Sequence, residues 1–115
     1  MEIIFWNLNG LSSLKNQSRL LNYLDWDVAI LIEVTKESYK ELCNEMNYES
    51  SELSLNISNT PSEKKRGLGC AIFIRNKEEY KFSVIEELPL PERSIVASNN
   101  KGNIDFVGIH IPPGV

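Results

Sequence analysis

Histidine and cysteine are scarce in this chain. It has one histidine, His110, and two cysteines, Cys43 and Cys70, set far apart and without the spacing of a metal finger. That supply builds no familiar zinc site. Both thiols are expected to be free and buried, as in a reducing compartment. Positive charge is also short. Lys and Arg number 12 against 16 Asp and Glu, a formal net charge of −4. This argues against a protein that grips nucleic acid by bulk positive charge. It leaves room for a nuclease built from carboxylates and a divalent cation, because the metal supplies positive charge locally. Apolar runs are too short to cross a bilayer. No basic leader precedes the first strand, so the expected location is cytoplasmic. There is no internal repeat, and Gly67-Leu68-Gly69 lacks the spacing and following helix of a phosphate loop. A hydrophobic content of 42% and a charged content of 24% are ordinary for one globular domain over residues 1–115.

What is present is organised around residues 27–35, DVAILIEVT. Five consecutive apolar residues, 28 to 32, read as a strand covered on both faces. Glu33 follows them directly. A lone carboxylate is too costly to desolvate, so it belongs at the strand's C-terminal edge, facing a cation, a proton donor or solvent. In open α/β sheets that edge is where ligands bind.

Residues 2–8 (EIIFWNL) predict a central strand. Asn7 and Asn9 lie two apart, on one side of an extended chain, and Gly10 permits a sharp exit. Ser12 or Ser13 is the expected cap of a helix over 15–24, with Leu14, Leu21, Leu24 and Leu20 on its apolar face. Strand, helix and strand then form a right-handed βαβ unit with parallel strands. Thr35 is the expected cap of a second helix over 36–47, where Tyr39, Leu42, Cys43 and Met46 form a core-facing stripe. Residues 48–55 are a weak strand. Residues 56–66 compose a loop with a basic tip at Lys64, Lys65 and Arg66. A strong strand at 67–75 is expected to pair as a hairpin with 80–88, and Pro89 and Pro91 break that ladder. Residues 93–98 and 104–111 are further strands joined by a turn at 99–103. Trp6 and Trp26 read as packing residues.

In this order the motifs resemble the endonuclease/exonuclease/phosphatase superfamily, the deoxyribonuclease-like fold. The residues that carry the resemblance are Phe5-Trp6-Asn7-Leu8-Asn9-Gly10, Leu31-Ile32-Glu33-Val34-Thr35, the glycine-led strand from Arg66 to Ile74, and Phe106-Val107-Gly108-Ile109-His110-Ile111-Pro112. The resemblance implies an α+β chain forming half of a four-layer α/β/β/α sandwich, a mixed sheet with two helices on one face. It also implies Mg²⁺-dependent phosphodiester hydrolysis, with Mn²⁺ as the alternative cation and DNA or RNA among the substrates. By position, Glu33 matches the metal ligand and Asn7 the asparagine that supports metal and phosphate. Asn9 stands beside it at the phosphate. His110 resembles a histidine assisting proton transfer, and Arg93 an arginine at the phosphate. A carboxylate and an amide oxygen suit a hard cation.

The chain also departs from the family pattern. Ile32 stands where a glutamine is common, and neither a Gly-Asp-x-Asn strand end nor a terminal Asp-His is present. The match is therefore to an N-terminal half, whose inner sheet face is left for a second copy or a complementary chain to cover. A catalytically silent half-domain serving binding or assembly is the rival reading. An unrelated α+β protein is the third. In that bland alternative Glu33 is a solvated strand end, and Asn7 and Asn9 satisfy backbone groups in a turn. His110 is then a hydrogen-bonded core residue, and Arg93 a surface charge.

Overall fold

The parallel βαβ opening forms as the apolar patterning requires. In the computed structural model, which describes residues 1–59 and 67–111, β1 (Ile3–Asn7) pairs in parallel with β2 (Val28–Val34), Ile3 opposite Val28 and Asn7 opposite Ile32. Between them runs α1 (Lys15–Tyr23). Its expected serine cap is absent. The N-cap position is Leu14, and the side chain of Glu41, on the next helix, accepts from the Leu14 N–H at 3.2 Å and from Ser13 Oγ at 3.4 Å. A tertiary carboxylate thus satisfies the helix end that a local hydroxyl was expected to cap. Leu14 and Leu21 are buried as expected, but Leu20 and Leu24 are exposed and Ser18 is buried instead. The inward stripe is Leu14, Ser18 and Leu21, so the leucine pair 20 and 24 lies outside it.

Helix α2 (Lys36–Glu45) opens with a capping box between Thr35 and Ser38. Leu42 and Met46 are fully buried, and Tyr39 and Cys43 half so. Both helices pack on one face of the sheet, against Ala29, Leu31, Ala71 and Phe73. Arg75 ties the far ends of the two helices together. Its guanidinium donates to the carbonyls of Asn47, Leu24 and Leu21 at 3.0 to 3.2 Å and stacks 3.7 Å above the Trp26 ring. Desolvation lowers its pKa, and the charges of Asp25 and Asp27 oppose that shift.

After β3 (Ser50–Leu53) the chain makes a single-turn helix, α3 (Ser54–Ile57), where a strand end and loop were expected. The basic tip at Lys64, Lys65 and Arg66 lies outside the described residues. Strand β4 (Gly69–Ile74) is buried throughout. The mixed sheet has the order β1-β2-β4-β3.

The expected hairpin between β4 and the following segment does not form. Both edges of β4 are already taken, by β2 and β3, so β5 (Tyr80–Ser83) has no place to pair with it. It pairs instead with β6 (Ser94–Asn99), which pairs with β7 (Ile104–Ile109), in a separate antiparallel sheet of order β5-β6-β7. A 3₁₀ turn, Pro91–Arg93, leads into β6.

The second sheet lies on the face of the first that the helices leave free. Val28, Ile30, Ile32, Cys70, Ile72 and Ile74 meet Ile95 and Ala97 there, with Phe82 and Phe106 alongside. The approach is close at Gly108, where a Cβ would come within 2.5 Å of Ile30 Cγ2. The result is an α+β fold of helices, mixed sheet and antiparallel sheet in layers. The chain thus supplies its own cover for β2 and β4, which corrects the expectation that the inner face awaits a second chain entirely. On β1 the inner-face residues Ile3 and Phe5 stay open, 53% and 55% exposed.

Candidate functional site

The C-terminal ends of β1 and β2 and the exit of β7 meet at one end of the two sheets. Strict alternation along β2 would turn Glu33 to the helix face, with Ala29 and Leu31. A β-bulge prevents this. Leu31 stands opposite Ala71 and Val34 opposite Gly69, so Ile32 and Glu33 together face the single position of Cys70. Glu33 takes φ +55, a left-handed conformation unusual for a residue with a side chain. Its carbonyl accepts from the Gly10 N–H at 2.8 Å, beside Asn9 at φ +56. Two left-handed residues thus clasp the ends of the parallel pair. The detour takes the Glu33 carboxylate to the second sheet, where Oε1 lies 4.0 Å from His110 Nε2, both side chains being mostly buried.

His110 is held from the other side. Its backbone N–H donates to the Arg93 carbonyl at 2.9 Å, which extends the β6–β7 ladder by one cross-strand pair. The pairing sets the two side chains next to each other, and Arg93 Nη1 lies 3.2 Å from His110 Nδ1. Arg93 is buried at 6% exposure, not the surface charge its place after Pro91 and Glu92 suggests.

The turn carrying Arg93 is stapled from below. Ser54 Oγ donates to the Glu92 carbonyl and accepts from the Cys70 N–H at 2.9 Å, and the Cys70 thiol donates to the Arg93 carbonyl at 3.0 Å. Burial pushes the Cys70 thiol up to about 12, with the Arg93 charge opposing, so it is a structural donor and not a nucleophile. Ser54 and Cys70 position the site, and the sequence reading missed that role. The one signal was Gly69, where a Cβ would come within 2.7 Å of Ser54 Oγ.

Asn7 accepts from the Asn9 N–H at 2.8 Å through Oδ1, a turn-closing bond that leaves that oxygen a second lone pair. The Asn9 side chain is exposed. An apolar cavity of about 210 Å³, lined by Leu88, Pro89, Leu90, Ile109 and Ile111, opens against Arg93 and His110.

The arrangement brings Glu33, His110 and Arg93 into one line of contacts, with Asn7 and Asn9 at the adjoining strand end. Among the described residues no group of three or more His, Cys, Asp or Glu side chains converges to hold a metal. Glu33 and Asn7 suit part of a Mg²⁺ shell, since that ion commonly takes one or two carboxylates and keeps water and phosphate for the rest. Comparison of the chain with protein-family models, with curated proteins and with solved structures gives no significant match.

Proposed function

We propose that the chain belongs to a Mg²⁺-dependent phosphodiesterase or nuclease domain of the endonuclease/exonuclease/phosphatase type and carries part of its active site. The observation behind this reading is the meeting of Glu33 and His110, from different sheets, at a bulge whose left-handed Glu33 is strained. Such strain collects at functional sites. Glu33 and Asn7 would hold the ion, with Mn²⁺ as the alternative. The ion supplies Lewis-acid polarisation of the phosphate and a more acidic water. In the hydrolysis, a water oxygen bonds to phosphorus as the bond from phosphorus to the leaving oxygen breaks. The attacking water loses a proton to solvent and the leaving oxygen takes one from solvent, while the Nε2–H of His110 would donate a hydrogen bond to the charge developing on the leaving oxygen. Asn9 lies at the strand end where a phosphate oxygen would sit. DNA and RNA are the leading substrates, and the cytoplasm is the proposed location. No helix among the described residues is long and apolar enough to cross a membrane, and both cysteines are free.

One specific observation favours a second reading, a catalytically silent module for binding or assembly. Among the described residues no three His, Cys, Asp or Glu side chains gather to hold a metal, and β1 leaves Ile3 and Phe5 uncovered at its edge. In that case a second copy or a complementary chain covers β1.

Calorimetric titration of the chain with Mg²⁺, alongside hydrolysis of bis(p-nitrophenyl) phosphate, tests both. Binding that disappears in Glu33→Ala without turnover supports an incomplete site. Metal-dependent turnover by the chain alone removes the silent reading, and absence of metal binding removes the phosphodiesterase reading.

A further inference from the structure

Arg93 is an awkward residue to bury. A guanidinium keeps its charge at any ordinary pH. Here Nε has no hydrogen-bond partner among the described residues, and Arg93 makes no ion pair with any of them. A buried N–H left unpaired works against folding, so hydrogen bonding at Nε does not account for an arginine at this position. What the side chain does is reach His110. A guanidinium donates and never accepts, so the contact of Nη1 with Nδ1 at 3.2 Å requires a bare lone pair on Nδ1. The neutral ring must then carry its proton on Nε2, the nitrogen that faces Glu33 at 4.0 Å.

We propose that Arg93 is a positioning residue that locks His110 in the Nε2–H tautomer and aims that N–H, as a hydrogen-bond donor, at the leaving oxygen of the phosphodiester. This rests on the phosphodiesterase reading of the site and gives Arg93 a different task from direct contact with phosphate. The geometry is fixed at both ends of the pair. The backbones of Arg93 and His110 are hydrogen-bonded, and Cys70 and Ser54 anchor the turn that carries Arg93. A proton on Nδ1 would confront the N–H of a permanent cation, so the alternative tautomer is disfavoured wherever Arg93 holds its place.

His110 is the chain's only histidine, so its ring can be read without ambiguity in a long-range ¹H–¹⁵N spectrum of the labelled full chain. The sample is held at about pH 8.5, above the ordinary histidine range. The wild type is expected to show Nδ1 in the unprotonated range and Nε2 in the protonated range, with a coupling across the hydrogen bond from Arg93 Nη1 to Nδ1. Arg93→Met should move Nδ1 toward the protonated range as the tautomers mix, and Arg93→Lys should restore part of the shift. A wild-type ring protonated on Nδ1, or an unchanged ring in a folded Arg93→Met, overturns the inference. Should Arg93→Met fail to fold, the wild-type coupling decides, and its absence overturns the inference. Mg²⁺ titration of the same sample separates the two readings. A locked ring with no Mg²⁺-induced shift at Glu33 defeats the proposed function and leaves the tautomer assignment standing. A shift at Glu33 with an unlocked ring defeats this inference alone.

Discussion

Glu33 offers a perturbation in which backbone and side chain can be separated. Glu33→Ala and Glu33→Gly both delete the carboxylate that approaches His110, and both keep the carbonyl that accepts from Gly10. They differ in how they tolerate φ +55. A residue with a Cβ pays about 1–2 kcal/mol in the left-handed region, and glycine avoids this. Glycine in turn loses more chain entropy on folding, about 0.5–1 kcal/mol. The difference leaves Glu33→Gly more stable than Glu33→Ala by about 0.5–1 kcal/mol. In a chain of this size that is a melting shift of about 2–4 °C. Urea titration should show the gap as a displaced midpoint at constant slope. Asn9, at φ +56, is the internal control. Asparagine visits this region readily, so Asn9→Gly should change stability less. Glu33→Gly is further expected to be at least as stable as the wild type and, under the phosphodiesterase reading, to abolish Mg²⁺ binding. Equal stability of the alanine and glycine variants at position 33 would refute the claim that the bulge holds strain there.

Gly108→Ala drives a Cβ to within 2.5 Å of Ile30 Cγ2 between the sheets. It should cost about 1–3 kcal/mol by urea titration, and Ile30→Ala in the same chain should recover part of the loss. Arg75→Lys gives up the three-carbonyl fork and the stack on Trp26. It should lower stability by about 2 kcal/mol despite keeping the charge, as read from the denaturation midpoint. For Cys70 the folded pKa is raised from 9.0 to about 12. Between those values the unfolded state loses a proton that the folded state keeps. Stability therefore falls as pH rises above about 9, by up to about 1.4 kcal/mol per pH unit for this group. Cys70→Ala should flatten that slope by one proton's worth in melts taken from pH 8 to 11. A slope unchanged by the substitution would contradict the burial of the thiol. Phe5→Lys places a charge on the open inner face of β1. If a second copy covers that face, sedimentation should show self-association of the wild type and its loss in the variant.

The local patterns were legible where one element sufficed. The apolar run at 28–32, the Thr35 cap and the stripe through Leu42 and Met46 all follow from spacing alone, and the structure keeps them. What escaped were choices made between elements. The β4 segment reads equally well as one half of a hairpin or as a central strand, and only the arrival of β3 on its open edge settles the matter. The cap of α1 comes from Glu41, far along the sequence, so no local motif announces it. At the site, the need to place Glu33 at a strand edge was readable from the cost of burying its charge. The bulge that turns its side chain was not, because Ile32 and Glu33 share one position only relative to Cys70 on the partner strand. The burial of Arg93 depends likewise on a register with His110 across a turn.

The offset between the two sheets ties the open face to the site. The main contacts of β7 with the first sheet run to β2 and β4, while Ile3 and Phe5 of β1 stay exposed. Ile3, Phe5 and Asn7 alternate along β1 onto the side of Val28, Ile30 and Ile32, the side that the second sheet covers elsewhere. A surface laid against Phe5 would therefore lie beside Asn7, and beyond Asn7 is Glu33. Under the phosphodiesterase reading the oxygen ligands that Glu33 lacks have a natural direction of entry, from whatever extends the antiparallel sheet past β7 and under β1. The two readings of the chain then share one surface. An occupant that brings carboxylates to the Asn7 end completes a metal site, and an occupant that brings only apolar side chains makes an assembly contact. Mg²⁺ affinity measured before and after β1 is covered distinguishes them, because only the first should raise it.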